Sequence, residues 1–350
     1  MEATTSPTPA TTTLAEGFTL TGKLVSEFKA ENGPQSPAGL FRTGPGRFGP
    51  PNFRLLSGSP PSYNNWTDVD RLLTTTGHIA AAYSRVMIDP TPHIAVCVKH
   101  GNASGAGIGD SRKALERMMA GDKLASFGGL VMINFDFTEE YAAILAEQKF
   151  DGILAPNISE EAITRLERKH GKCRFQVNEA LYQLGMDSLD HNQRHRYVRD
   201  GVLVQSNYTS ILNLSSPDVV RYGEASPDQE NDMRLAWAIC ATSNSNTITL
   251  VKDRMLVGNG VGQQARVYAA ELAVERAVRA GHDIDGAVAV SDSFFVNNDA
   301  VEALINAGVT AIFATSGSEL NDKKLIPYCQ EKGVVLYTIP DSKGRMFFGH

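Results

Sequence analysis

The chain reads as an α/β protein made of two tandem, related halves, each built from parallel β-α-β units. Three observations carry this expectation. Short apolar runs bounded by turn residues alternate with segments whose apolar positions recur at helical spacing. The same order of segments occurs twice, which argues for an internal duplication. And 350 residues with 42% hydrophobic and 21% charged content suffice for a large buried core.

Taken in order, residues 1–17 (MEATTSPTPATTTLAEG) have a Thr/Pro/Ala bias and lack the apolar centre of a signal peptide, so a disordered tail is expected. A short strand and helix are expected over 18–29. The Gly- and Pro-rich stretch 41–65 (FRTGPGRFGPPNFRLLSGSPPSYNN) reads as a long irregular loop, its Arg42, Arg47 and Arg54 either reaching a phosphate or simply solvated. WTDVDRLLTTTGHIAAAYSRVM has helical spacing with Thr67 as its N-cap. A buried strand follows in IAVCVKHGNASGAG (94–107), ended by Gly101, Gly105 and Gly107. After a helix from Ser111 to Met119, the first copy runs GLVMINFDF, TEEYAAILAEQKF, DGILAPN, SEEAITRLERKHG and KCRFQV as strand, helix, strand, helix and strand.

The second copy repeats that order in GAVAVSDSFF, NNDAVEALINAG, VTAIFATSG, NDKKLIPYCQEKG and VVLYTIP. The halves are therefore expected over 18–177 and 233–350, joined by a polar segment, 178–232, that holds a helix and a strand. Before the second copy, TITLVKDRMLV reads as a hairpin and VGNGVGQQAR as a glycine loop opening a helix. Its GxGxG spacing after a hairpin does not meet the dinucleotide fingerprint, which needs a glycine turn after the first strand of a β-α-β unit. Two readings remain open for it: an anion cradle of free N–H groups helped by Arg266, or a plain turn.

Net charge of −6 without a basic run makes a nucleic-acid backbone a poor partner. The four cysteines (Cys97, Cys173, Cys240, Cys329) lie far apart, as buried thiols in a reducing, cytoplasmic compartment would. No CxxC or HxE occurs, so the zinc-deaminase signature is missing and no zinc is expected. No apolar run is long enough to span a membrane. The sharpest chemical feature is Lys99-His100 at the mouth of a buried strand. A strand sends neighbours to opposite faces, so these two share a site only if the pleat breaks there. They are then either a fixed cation beside a neutral-range base or two solvated strand-end residues.

Eight stretches, SYNNWTD, VKHGNASG, ASFGG, KFDGILAP, TSNSNTI, GNGVGQQARV, SDSFF and a C-terminal Arg-x-Phe, occur in the order found in one family. Over residues 41–350 the chain resembles the transformylase domain of the bifunctional AICAR transformylase/IMP cyclohydrolase enzymes. It looks like a stand-alone module without the cyclohydrolase domain. The resemblance implies two cytidine-deaminase-like three-layer αβα halves without zinc, and a homodimer with active sites at the subunit interface. It also implies formyl transfer from 10-formyltetrahydrofolate to the amino group of 5-aminoimidazole-4-carboxamide ribotide.

Residue by residue, the resemblance makes His100 the general base for a weakly nucleophilic amine. It makes Lys99 the cation facing the developing oxyanion, a role worth roughly 3 kcal/mol. Asn246 holds the amine and carboxamide. Arg42 and Arg345 match phosphate-binding positions, and Thr43, Asn65, Gly128, Asp151 and Arg266 other nucleotide contacts. On the folate side, Phe294 packs on the aromatic part, Asp299 bonds the pterin, and Val267, Ser318 and Glu319 line the rest. A potassium site of some members corresponds to Ser243, Ser245, Thr247 and Asp292.

The chain also departs from the family pattern. Thr43 stands where the family has Tyr, Ala103-Ser104 replaces Pro-Cys/Ala, Val296-Asn297-Asn298 replaces Pro-Phe-Arg, and the end beyond Arg345 is one residue longer. These departures fit either an altered amine substrate or a divergent enzyme for the purine one. The alternative from another class is a nucleotide-binding regulatory module that has lost folate chemistry.

Overall fold

The computed structural model describes residues 10–15, 18–28, 38–85, 92–317, 319–346 and 348. The chain forms an α/β fold around one large mixed sheet. Its first part contains strands β1 (Ala10–Ala15), β2 (Phe18–Phe28), β3 (Ala38–Arg42) and β4 (Arg54–Ser57), then helix α1 (Tyr63–Ser84). Next come β5 (His93–Lys99), β6 (Asn102–Gly109), α2 (Ser111–Ala120), α3 (Lys123–Ser126), β7 (Leu130–Ile133), α4 (Glu139–Leu145), β8 (Gly152–Ala155), α5 (Glu160–Leu166) and β9 (Arg174–Val177). A hairpin of β10 (Gln193–Val198) and β11 (Gly201–Ser206) and the short β12 (Val220–Tyr222) lead to α6 (Pro227–Cys240). The chain closes with β13 (Ile248–Lys252), β14 (Met255–Gly260), α7 (Arg266–Arg279), β15 (Val288–Ser291), α8 (Asp299–Asn306), β16 (Ala311–Ser316), α9 (Glu319–Glu331), β17 (Val335–Pro340) and α10 (Asp341–Gly344).

The main sheet runs β12-β17-β16-β15-β13-β14-β6-β5-β7-β8-β9-β4. From either edge inward it reads the same way: an antiparallel edge strand, three parallel strands, then an antiparallel hairpin. The hairpins meet back to back at the centre, where Met255 of β14 registers with Gly107 of β6. Buried apolar residues of α1 and α6 form one cluster across one face. On the opposite face, α2, α4 and α5 cover β5 and β7–β9, while α7, α8 and α9 cover β13–β17. Among the described residues no helix is long and apolar enough to cross a membrane.

Several expectations change. Part of the expected tail, Ala10–Ala15, pairs with β2, and 18–28 is one strand rather than a strand and helix. Within 41–65, Arg54–Ser57 pairs with β9 as an edge strand and α1 begins at Tyr63. The N-cap of α1 is Ser62, not Thr67. Ser62 and Asn65 exchange bonds in a capping box that satisfies the first free N–H groups, and Thr67 donates within the helix to the Asn64 carbonyl (2.8 Å).

Gly105 and Gly107 do not end a strand but sit inside β6. A Cβ on them would lie 2.3 Å from the Met118 carbonyl and 2.6 Å from that of Ala114, so glycine lets α2 lie directly on the strand. Gly258 and Gly260, read as part of a loop, do the same in β14 against α7. All four cysteines are buried free thiols, with burial pushing Cys97 and Cys329 up to about 11 and Cys173 to about 12.

Candidate active site

The pleat breaks after Lys99. His100 (φ 53°) and Gly101 (φ 75°) occupy the two left-handed positions of a tight hairpin turn, closed by the pairing of Lys99 with Asn102. The carboxylate of Asp68 on α1 receives both turn N–H groups, from His100 to Oδ2 (3.2 Å) and from Gly101 to Oδ1 (2.7 Å). Burial raises the Asp68 carboxyl above its ordinary range, opposed by those two bonds. Lys99 Nζ donates to the Phe127 carbonyl (2.6 Å), one residue before Gly128. Gly128 has φ 74°, and a Cβ there would lie 3.9 Å from Asp151 Oδ1. Lys99, Gly128 and Asp151 therefore share one patch at the starts of β7 and β8, beside the His100 turn. Arg168 pairs with Asp151 there (3.2 Å).

Three expected contacts come from the N-terminal part. The Arg42 guanidinium grips its own Gly-Pro loop, donating to Asn52 Oδ1 (2.8 Å) and the Pro51 carbonyl (2.6 Å). Thr43 is exposed just beyond β3. Asn65 is buried and its side-chain oxygen caps α1.

The second half contributes a cleft of about 410 Å³. Six expected residues line it: Asn246, Arg266, Val267, Phe294, Asp299 and Arg345; Gln264, Val296 and Asn297 join them. Asn246 is fixed at both ends of its carboxamide: Nδ2 donates to the carbonyls of Gln263 (2.8 Å) and Gln264 (3.2 Å), and Oδ1 accepts from Arg266 (2.9 Å). Arg266 also donates to Ser291 Oγ (2.9 Å) and pairs with the fully buried Asp292. Of the glycines in the loop that opens α7, Gly258 and Gly260 belong to β14 and Gly262 follows it with φ 68°, while the Arg266 guanidinium pairs with the Asp292 carboxylate. Glu319 is not among the cleft-lining residues; it is exposed at the start of α9 and paired with Lys323 (2.8 Å). Ser318 lies outside the described residues.

The residues matched to a potassium site are engaged with protein groups. Asp292 accepts from Ser245 Oγ (2.5 Å), Thr247 N (3.0 Å) and Arg266, so a guanidinium already supplies the positive charge. The Thr247 and Ser243 hydroxyls donate to the carbonyls of Asn244 (2.5 Å) and Ile239 (2.8 Å).

Sequence reasoning missed Asp68 and Asp341. Asp341 accepts from Ser293 Oγ (2.9 Å), Thr315 Oγ1 (2.6 Å) and Arg345, thereby holding Arg345 at the cleft. Burial pushes its carboxyl up, but the bonds from Arg345, Thr315 and Ser293 outweigh that and keep it below the usual range. Asp68 acts on the turn from 32 and 33 residues away, and Asp341 joins its i,i+4 partner Arg345 to the distant Ser293 and Thr315, separations that no local pattern announces.

The two clusters lie at the same end of the sheet. Asn244 N donates to Asn102 Oδ1 (3.1 Å), and Asn259 Nδ2 reaches both the Ala103 carbonyl and Ser243 Oγ (3.2 Å each). The loop carrying Asn246 is thus tied to the hairpin carrying Lys99-His100.

Bifunctional purine biosynthesis proteins PurH are similar to the chain. That of Staphylococcus carnosus is 32% identical over 305 residues, 87% of this chain and 57% of that protein. That of Anoxybacillus flavithermus is 32% identical over 81% of this chain and 52% of that protein, and that of Deinococcus deserti 29% identical over 92% and 60%. The chain thus spans somewhat more than half the length of these relatives. A deaminase/reductase structure from Thermotoga maritima, titled diaminohydroxyphosphoribosylaminopyrimidine deaminase/5-amino-6-(5-phosphoribosylamino)uracil reductase, aligns at 18% identity over 34% of this chain and 37% of that one. Its TM-score is 0.25, too low to bear on the fold. The model of the AICARFT/IMPCHase bienzyme family matches residues 6–276, and the chain belongs to that family.

Proposed function

We propose that the chain is a formyltransferase that moves a formyl group from 10-formyltetrahydrofolate to the amino group of 5-aminoimidazole-4-carboxamide ribotide or a close analogue. The observation that carries this reading is the bond from Asn244 N to Asn102 Oδ1, which ties the hairpin carrying Lys99-His100 to the loop whose Asn246 lines the cleft. The folate co-substrate supplies the formyl group. The cleft suits it, with Phe294, Val267 and Val296 as apolar wall for an aromatic body and Asp299 as an acceptor for a heterocyclic N–H.

His100 takes a proton from the amine as its nitrogen bonds to the formyl carbon. Lys99 faces the oxygen that becomes negative, and Asn246, oriented by Arg266, holds the amine and its neighbouring carboxamide. As the carbonyl re-forms, the bond to the folate nitrogen breaks and His100 returns the proton to that leaving nitrogen. Arg345, steadied by Asp341, offers its charge to the ribotide phosphate. The Val296-Asn297-Asn298 segment changes the folate-side wall, and it is what favours the second reading, a nucleotide-binding module without folate chemistry.

The matching strand order of the two sheet halves supports a duplicated, cytidine-deaminase-like unit. A homodimer in the cytoplasm completes the reading. Exposed Phe127 and Leu124 beside the Lys99 anchor supply apolar surface for the second copy, and sedimentation should give twice 37.9 kDa.

A panel of ribotide amines assayed for consumption of 10-formyltetrahydrofolate tests the proposal. Turnover is expected only when a suitable amine is present. Lys99→Ala and His100→Ala are each expected to lower it about 100-fold or more with the fold intact. Full activity in both variants refutes the mechanism, and nucleotide binding without folate binding in calorimetry would instead mark a regulatory module.

A further inference from the structure

α1 carries two charged residues three positions apart, hence on one helix face, and each holds a different part of the site. Asp68 receives the N–H groups of His100 and Gly101. Arg71 donates to the Thr242 carbonyl and toward Asn244 Oδ1 (3.5 Å), in the loop that leads into Asn246. The ring of Phe348 lies 3.9 Å from the Arg71 guanidinium and 4.4 Å from that of Arg194, and Phe348 bridges to Asn244. The Asn102–Asn244 bond closes the circuit between the two parts.

We propose that Asp68 and Arg71 act as one positioning node, which sets the Lys99-His100 turn of the first half against the Asn246 loop of the second. The proposal rests on the formyl-transfer reading for its kinetic arm only. The turn has a left-handed, non-glycine residue at its first position, a conformation that surrounding contacts must hold. A carboxylate taking two successive N–H groups does so in a way that an amide cannot repeat. Asparagine offers one oxygen and turns its NH₂ toward the second N–H.

A twin of the clamp supplies the control. On α6, Asp232 accepts from Asp253 N (2.9 Å) and Arg254 N (2.7 Å), the left-handed turn of the β13–β14 hairpin (φ 53° and 62°). That turn holds the second hairpin by the same geometry but carries neither the base nor the cation assigned above. Asp232→Asn should therefore disturb a clamp without disturbing the chemistry.

The experiment compares the whole chain with Asp68→Asn, Arg71→Met, the double variant and Asp232→Asn. Asp68→Asn is expected to lower kcat about 10- to 100-fold with KM for both substrates nearly unchanged and circular dichroism intact, because a misplaced base costs turnover rather than binding. Arg71→Met is expected to lower kcat in the same manner, and the double variant to be little worse than the poorer single, as expected for one shared node. Asp232→Asn should keep the wild-type kcat. Hydrogen exchange at the Gly101 amide should quicken about tenfold or more in Asp68→Asn and stay unchanged in Asp232→Asn. Unchanged kcat in Asp68→Asn, or an equal loss in Asp232→Asn, overturns the node. Should the wild type formylate no amine, the formyl-transfer reading fails, and the Gly101 exchange alone decides the clamp: unchanged exchange overturns it.

Discussion

Asp292 is fully buried, and the contacts around its carboxylate are donors: Ser245 Oγ, Thr247 N and the Arg266 guanidinium. Removing one member of a buried pair leaves the other unpaired in a dry place, which costs far more than an exposed ion pair is worth. Arg266→Met is therefore expected to destabilise the protein by about 3–5 kcal/mol in urea unfolding, and also to free the Asn246 carboxamide. A loss below about 1 kcal/mol would mean that the pair behaves like a surface bridge. At this scale the sequence showed which residues matter better than what they do. Asn246, Val267 and Phe294 were legible as site residues because they lie in recognisable stretches. The pairing of Arg266 with Asp292 was not, since 26 residues and a helix separate the partners and no periodicity links them.

Two devices recur between the elements of the two halves: a glycine strand under a helix and a carboxylate over a turn. At Gly260 a Cβ would lie 1.9 Å from the Ala269 carbonyl, a backbone atom that cannot swing away. Gly260→Ala should therefore cost about 1–3 kcal/mol or more, whereas Gly46→Ala, with nothing within 4 Å, should be near neutral by the same denaturant titration. These glycines misled sequence reasoning because glycine normally punctuates, and only the closeness of the next helix shows that it can also belong inside a strand. The clamp predicts a pH effect. Burial raises the Asp232 carboxyl from 3.8 to about 6, against the two N–H bonds. Because the folded state then binds the proton more tightly than the unfolded state, this group's contribution is full below about pH 4 and is lost as pH rises through 6. The stability of the wild type relative to Asp232→Asn should accordingly fall between pH 4 and 6. A difference constant across that range would show that the carboxyl titrates normally.

Across the whole molecule, the parallel strands and their helices were readable from alternating apolar runs, while the strands that finish the sheet were not. β4 and β12 are four and three residues long, lie at the edges and are mostly partly exposed, so they carry no periodicity of their own. The seam between halves was equally hidden, and its physics sets how the chain unfolds. In the sheet, β6 and β14 share one registered pair, Gly107 with Met255. On the α1–α6 face, by contrast, a single apolar cluster runs from Val69 to Met346 across both halves. Tyr83 Oη donates to the Asn231 carbonyl (2.5 Å), joining the end of α1 to α6. Trp237 of α6, 2% exposed, lies 6.2 Å from the His78 ring of α1 and 6.3 Å from that of Tyr208. A shared core of this kind couples the halves more strongly than the thin seam in the sheet separates them. Trp237→Ala should cost about 3–5 kcal/mol, since the cavity it leaves lies between rigid elements. The loss should appear equally in the hydrogen-exchange protection of β8 and of β16, one from each half, because both depend on the same helix layer. Protection lost in β16 with β8 untouched would show instead that the halves unfold as separate units joined only at their central hairpins.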